Sequence, residues 1–276
     1  MGWRVVTANN KGGAGKTTTT VALAAALAEL GHRVLAVDMD PQGNLTRRLG
    51  YDETSWQGRT TVADVLRLRS DGPVDAATAV VPCAWEHELA ERIDLLPSVP
   101  PKLEARQREA GRENGTEFRL RRALDRIDDA YDVTLIDVPP GLGHLTDMAL
   151  AAADRVVVVL MPEYDYVQGA VRMVHYVEEE REALGRPDLR VAGVVVTNVE
   201  AKSATHRDQV EHLPNLFVDE LLWQPYIPRR QTLIGANNDG LAVQLLKGRV
   251  AGDLAEMHAG HAHRLIASFT SERAPA

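Results

Sequence analysis

The chain has 276 residues, enough for one large α/β core, and thirty-one Lys and Arg against thirty-nine Asp and Glu leave a net charge of −8. That balance excludes wholesale adhesion to nucleic acid or anionic lipid, so any such contact needs a local patch. The lone Cys83 excludes an intrachain disulfide framework, a cysteine-built zinc finger and a one-chain iron–sulfur site, which fits a reducing cytoplasm.

Taken in chain order, the β-branched run 3–8 predicts a first strand. A glycine-rich turn follows, then an Ala/Leu/Val helix over 17–30, stopped by Gly31. The run 33–38 predicts a second buried strand, which completes a βαβ unit. The stretch 50–82 mixes Gly, Asp, Thr and Arg around one helical piece at 62–68 and reads as a surface excursion. Strands are expected at 93–96, 133–138, 156–161 and 191–197, with helices around 117–127, 146–153, 167–184 and 204–213. The strands are continuous apolar runs rather than alternating ones, so the expected fold is a mostly parallel, twisted sheet with helices on both faces. No internal repeat divides the chain, so residues 1–276 are expected to form one domain with a frayed tail after 273. No apolar run reaches the roughly 18 residues of a membrane span, and no basic-then-apolar leader opens the chain.

The turn between the first strand and helix reads Lys11-Gly12-Gly13-Ala14-Gly15-Lys16-Thr17-Thr18. Glycines there let backbone N–H groups turn inward on phosphate oxygens, and the helix N-terminus adds its positive end. Lys16 can reach the outer phosphates and the Thr17 hydroxyl can ligate Mg²⁺. Asn10 stands where the usual phosphate-loop pattern begins with glycine, so this loop is a variant headed by a lysine. Only five of the basic residues are lysines, at 11, 16, 102, 202 and 247, and the pair in this loop suggests a need for compact ammonium groups. Asp137, at the end of a buried strand, is placed to hold a magnesium ion through its water shell. Asp38 and Asp40 flank Met39 and should face opposite ways if the strand continues, which predicts different tasks for them.

The loop resembles the deviant Walker A motif, KGGxGKTT, of the ParA/MinD superfamily of P-loop ATPases. Further likenesses follow in order: Asp38-Met39-Asp40-Pro41-Gln42-Gly43-Asn44 is similar to the family's DxDPQGN, Leu135-Ile136-Asp137-Val138-Pro139-Pro140 to its Walker B element, and Ile227-Pro228-Arg229 to the IPR segment of the ParA branch. The resemblance implies a P-loop NTPase fold, ATP and Mg²⁺ as ligands, and residues 11–18 around the phosphates. It implies that Asp40 positions the attacking water, that Asp38 supports Mg²⁺ and the first switch, and that Lys11 reaches across an ATP-dependent sandwich homodimer to the partner's nucleotide. Asn198 and Pro228 are the candidate adenine contacts.

Within the superfamily, one cysteine per chain excludes the nitrogenase-iron-protein-like branch. The segment 253–269 carries Asp253, Glu256, a single Arg264 and the histidines His258, His261 and His263, and so argues against a MinD-like lipid helix. That segment is expected to be a solvated helix whose histidines do not share one face for a metal. The first strand starts at residue 3, so no N-terminal helix-turn-helix is expected. The resemblance therefore favours the short, Soj-like ParA branch: a weak ATPase stimulated by a ParB-type centromere-binding partner. Its ATP dimer would coat nucleoid DNA without sequence preference through Lys202, Arg229 and Arg230. The basic stretch 102–122, with a local net of +3, reads as a solvated helix pair. The alternatives are a MinD-like or cargo-positioning ATPase, a nucleotide-gated scaffold with negligible turnover, and a small-molecule kinase or ligase.

Overall fold

The computed structural model describes residues 2–56, 58–67, 74–110 and 115–270. Its elements begin β1 Trp3–Ala8, α1 Lys16–Glu29, β2 Val34–Asp38, α2 Asn44–Arg48, α3 Val62–Val65, β3 Val81–Pro82 and β4 Ile93–Leu96. They continue with α4 Pro100–Ala110, α5 Arg119–Leu124, β5 Val133–Asp137, α6 His144–Ala152 and β6 Arg155–Leu160. The last are α7 Tyr164–Glu180, β7 Arg190–Val196, α8 Ala204–His212, β8 Leu222–Trp223, α9 Gln231–Asn238 and α10 Arg249–Thr270. One sheet carries the strands in the order β3-β4-β2-β5-β1-β6-β7-β8, and every neighbouring pair is parallel except β3 with β4.

Strand alternation decides which layer each residue joins. Val6, Leu35, Val37 and Ile136 pack with α3 to α7 on one face, while Val5, Val34, Ala36 and Leu135 pack with α1, α2 and α10 on the other. Both faces are covered, which is why the central strands read as unbroken apolar runs. Helix α1 is alanine-rich because it is buried from Thr19 to Ala28, between the sheet and α10. The expected strands lie within one or two residues of the observed ones. Short β3 and β8 carry too little sequence to register as apolar runs.

Two regions differ from the sequence expectation. In the segment 50–82, Thr61, Val62, Ala63, Val65, Leu66, Ala76 and Ala79 are buried, so part of it belongs to the core rather than lying on the surface. Helix α10 is not wholly solvated either: Ala251, Leu254, His258, His261, Ala262, Leu265 and Phe269 recur at helical spacing and are buried, while His263 is exposed. Its apolar stripe is spent on the protein, and Phe269 stacks on Trp3 with centroids 4.5 Å apart. The basic stretch 102–122 forms α4 and α5 over its described residues, and Lys102 is engaged by Asp64 at 3.1 Å. The tail after 273 lies outside the described residues. Among the described residues no helix is long and apolar enough to cross a membrane.

Candidate functional site

The carboxyl ends of β2, β5 and β1, adjacent in the sheet, deliver their three loops to one edge, where open α/β sheets hold ligands. The loop after β1 turns through Gly13 and Gly15, whose φ angles of +81° and +91° are open chiefly to glycine. A Cβ on Gly15 would also come 3.0 Å from the Thr197 hydroxyl, which donates to the Ala14 carbonyl at 3.2 Å. Asn9 holds the loop from beneath. Its Oδ1 accepts the Lys11 amide at 2.8 Å, and its Nδ2 donates to the carbonyls of Val159 at 2.7 Å and Tyr166 at 3.2 Å.

A cavity of about 420 Å³ is walled by Gly12, Gly13, Gly15, Lys16, Thr17, Thr18, Asp40, Arg47 and Arg48, among others. Lys16 is buried; desolvation lowers its pKa, opposed by the charges of Asp137 and Asp40. Thr17 donates to Asp137 Oδ2 at 2.6 Å, and Asp137 Oδ1 accepts from Thr20 and Thr7 at 3.3 Å each. Asp137 sits in register beside Asp38, both fully buried. Burial raises Asp38 to about 8, with the neighbouring Asp137 as the next cause; burial likewise raises Asp137 to about 6, against the hydrogen bond from Thr17 and the charge of Lys16.

The two aspartates flanking Met39 have different surroundings, but not by alternation: residues two apart share a face of a continuing strand, and β2 stops at Asp38 so that Asp40 belongs to the loop. Asp38 clasps the loop: its Oδ2 accepts from the Thr46 amide at 2.8 Å and hydroxyl at 2.7 Å, and its Oδ1 from the Asp40 amide at 3.1 Å. Asp40 lines the cavity and accepts the Gln42 amide at 2.9 Å. The hard-oxygen pair of Thr17 and Asp137 fits magnesium, which is commonly held by one or two protein oxygens with phosphate and water completing its shell. A divalent cation would also relieve the repulsion between the paired carboxylates.

A second cavity of about 180 Å³ shares Gly13, Gly15, Thr18 and Asn237 with the first and adds Met161, Asn198, Ile227, Leu233, Ile234 and His258. Its apolar walls suit a flat ring. Thr19 Oγ1, Asn237 Oδ1 and both ring nitrogens of His258 are buried beside it without a hydrogen-bond partner in the protein. Asn198, at φ +56°, lines this cavity, with its Nδ2 on the Met161 sulfur at 3.2 Å. Pro228 does not: the residues on either side, Ile227 and Arg229, form the wall, because Pro228 is turned into a bridge with Val199.

Lys11 stands outside the phosphate cavity and pairs with Asp165 on α7 at 3.2 Å, with side chains 43% and 69% exposed. Lys202 and Arg230 are exposed, and Arg229 is ion-paired with Glu200. Arg229 and Arg230 also line the smaller cavity, whereas Lys202 does not. Several contributors carry no motif: Asn9, Thr46, Arg48, His258 and Gly169, whose missing side chain admits Asn9. Only their placement in three dimensions reveals them.

Known proteins share the fold and much of the sequence. A family model described as an AAA domain matches residues 3–191. The sporulation initiation inhibitor protein Soj of Bacillus subtilis is 34% identical over 252 residues, covering 91% of this chain and 94% of that one. The chromosome-partitioning ATPase Soj of Thermus thermophilus is 36% identical over 240 residues, covering 87% and 86%. Among solved structures, a cobyrinic acid a,c-diamide synthase from Mycobacterium smegmatis, with bound ATP analog and magnesium, superposes with a TM-score of 0.79 at 30% identity, covering 99% of this chain and 98% of that one. With its lysine-headed phosphate loop, ordered acidic motifs, parallel sheet and near-full-length identity to the Soj proteins, the chain belongs to the ParA/Soj branch of the P-loop ATPases.

Proposed function

We propose that the protein is a partition-type ATPase that binds ATP and Mg²⁺ across the two joined cavities, dimerises with ATP, and then holds DNA without sequence preference. Residues 12–18 and Lys16 would cradle the phosphates, with Thr17 and Asp137 toward the metal and Asp38 holding the first switch in shape. Bound Mg²⁺ supplies charge neutralisation on the phosphate oxygens. Asp40 would orient the attacking water, and Asn198 would meet the base. A ParB-type protein would stimulate hydrolysis and release the dimer from nucleoid DNA, which is the localisation we assign.

The observation that carries this reading is Lys11. It lies outside its own phosphate cavity, with a partly exposed side chain that a second subunit can reach. An exposed pair with Asp165 contributes at most about 1 kcal/mol, so a partner's triphosphate can displace it. Asp40 in the cavity wall favours turnover over a scaffold without hydrolysis.

DNA binding would rest on Lys202, Arg229 and Arg230 against a net charge of −8. Within a Debye length of about 8 Å only the facing patch matters. One subunit offers few phosphate contacts, and dimerisation doubles them. The test is retention of random-sequence duplex with ATP, ADP or no nucleotide across a salt series. ATP-dependent binding whose logarithm falls linearly with log salt, with a flatter slope for Arg229→Glu/Arg230→Glu, supports the reading. Wild type that binds no DNA with ATP at low salt overturns it and brings forward the cargo-positioning, scaffold and ligase alternatives.

A further inference from the structure

Arg48, the last residue of α2, has no place in the motifs above, yet its side chain lines the phosphate cavity and is only 4% exposed. Its Nη1 donates to Thr18 Oγ1 at 3.0 Å and its Nη2 to the Leu241 carbonyl at 3.1 Å. Its Nε has no partner in the protein, and among the described residues no carboxylate lies within 4.0 Å of the guanidinium. Burial lowers its pKa to about 10, so the group keeps its charge at neutral pH. A buried cation with no paired carboxylate is costly: the charge of Asp137 offsets the burial only in part, and the cavity Arg48 faces takes Lys16 and the start of α1 in its wall as well as Asp40.

The hydrogen bond to Thr18 has a definite sense. A guanidinium carries five N–H donors and no acceptor, so Thr18 Oγ1 must accept, and the hydroxyl's single proton is left to donate elsewhere. Thr18 lies at the junction of the two cavities, in the walls of both. In a nucleotide that spans them, the phosphate nearest the nucleoside lies at that junction.

We infer that Arg48 is a positioning residue for the nucleotide: it fixes the Thr18 hydroxyl as a donor toward the phosphate nearest the nucleoside and supplies that phosphate with a buried positive charge that no carboxylate pairs. The inference rests on the nucleotide reading above and adds a specific consequence. The contribution belongs to every adenine nucleotide, ATP, ADP and AMP alike, and not to adenosine.

Calorimetric titration of the full chain with ADP, AMP and adenosine tests this, with thermal unfolding of each variant as the check on folding. Arg48→Met and Thr18→Val should each weaken ADP and AMP by about tenfold or more, the loss of a hydrogen bond involving a charged group, while adenosine is unaffected. The double variant should lose little beyond Arg48→Met alone, because that change removes both the charge and the orientation of the Thr18 hydroxyl. Thr18→Ser, which keeps the hydroxyl, should retain ADP affinity. Losses that multiply in the double variant, or an equal loss for adenosine, would make Arg48 a structural staple between α2 and Leu241 and overturn the inference. Should Arg48→Met not fold, Thr18→Val against Thr18→Ser decides: full ADP affinity in the valine variant overturns it. Wild type without measurable ADP affinity would overturn the nucleotide reading and this inference together, whereas nucleotide binding that is indifferent to Arg48 and Thr18 removes the inference alone.

Discussion

Gly169→Ala sets helix propensity against close packing. Gly169 lies inside α7, where alanine is favoured over glycine by up to about 1 kcal/mol. A Cβ there would stand 2.5 Å from Asn9 Oδ1, 3.3 Å from Lys11 Cγ and 3.5 Å from the Lys11 amide nitrogen. Asn9 has no room to yield, because it is fully buried and all three of its hydrogen bonds, to Lys11, Val159 and Tyr166, fix its position. Overpacking of this kind costs about 1–3 kcal/mol, and a buried donor or acceptor left unmatched costs about 1–3 kcal/mol more. The clash therefore wins, and a net loss of about 1–6 kcal/mol is expected. Because Asn9 orders the loop that carries Lys11, ATP affinity should fall as well. Urea unfolding with and without Mg²⁺ and ATP measures both effects. A variant as stable as wild type, or more stable, would mean that the loop gives way freely and that the Asn9 brace is not what orders it.

Asp40→Ala should retain ATP while phosphate release falls by about 10² or more, the usual contribution of a group positioning the nucleophile; normal turnover would move that role to another residue. Lys11→Ala should keep monomer stability within about 0.5 kcal/mol, since its pair with Asp165 is exposed, and should bind nucleotide without forming the ATP dimer; wild-type dimerisation in sedimentation would refute a role in trans. Burial holds His258 and His261 down, at about 3 and about 4, so the unfolded chain binds protons that the native chain refuses. The stability they confer is complete above about pH 6.5 and is lost as pH falls toward 4, by at most about 2.7 kcal/mol per pH unit for two protons. The raised Asp38 and Asp137 tilt the curve the other way, through protons the native state holds as pH rises from about 4 to about 8. Replacing both histidines with leucine should therefore flatten the acid limb in urea midpoints taken between pH 4.5 and 7; an unchanged limb would show that they do not govern it.

The phosphate loop could be read from residues 11–18 because its chemistry is mostly backbone chemistry: glycines permit the turn, and the next residues begin a helix whose N–H groups point at the ligand. The buried strands could be read for a similar reason, since coverage on both faces leaves an unbroken apolar run. Alternation does not separate Asp38 from Asp40, since residues two apart share a face of a continuing strand; they part because β2 ends at Asp38, and Thr46 and the loop after β2 give one a clasping role and the other a cavity wall. Arg48, His258 and His261 look like surface residues along the chain. Each is buried only because distant segments close over it: Arg48 meets Thr18 and Leu241, and α10 packs its stripe against α1 and the sheet. Pro228 had the right motif position, yet its bridge to Val199 puts Ile227 in the wall instead. Local pattern specifies backbone shape and strand or helix faces; which side chain faces the ligand depends on contacts between residues far apart in sequence, and those exist only after the sheet is assembled.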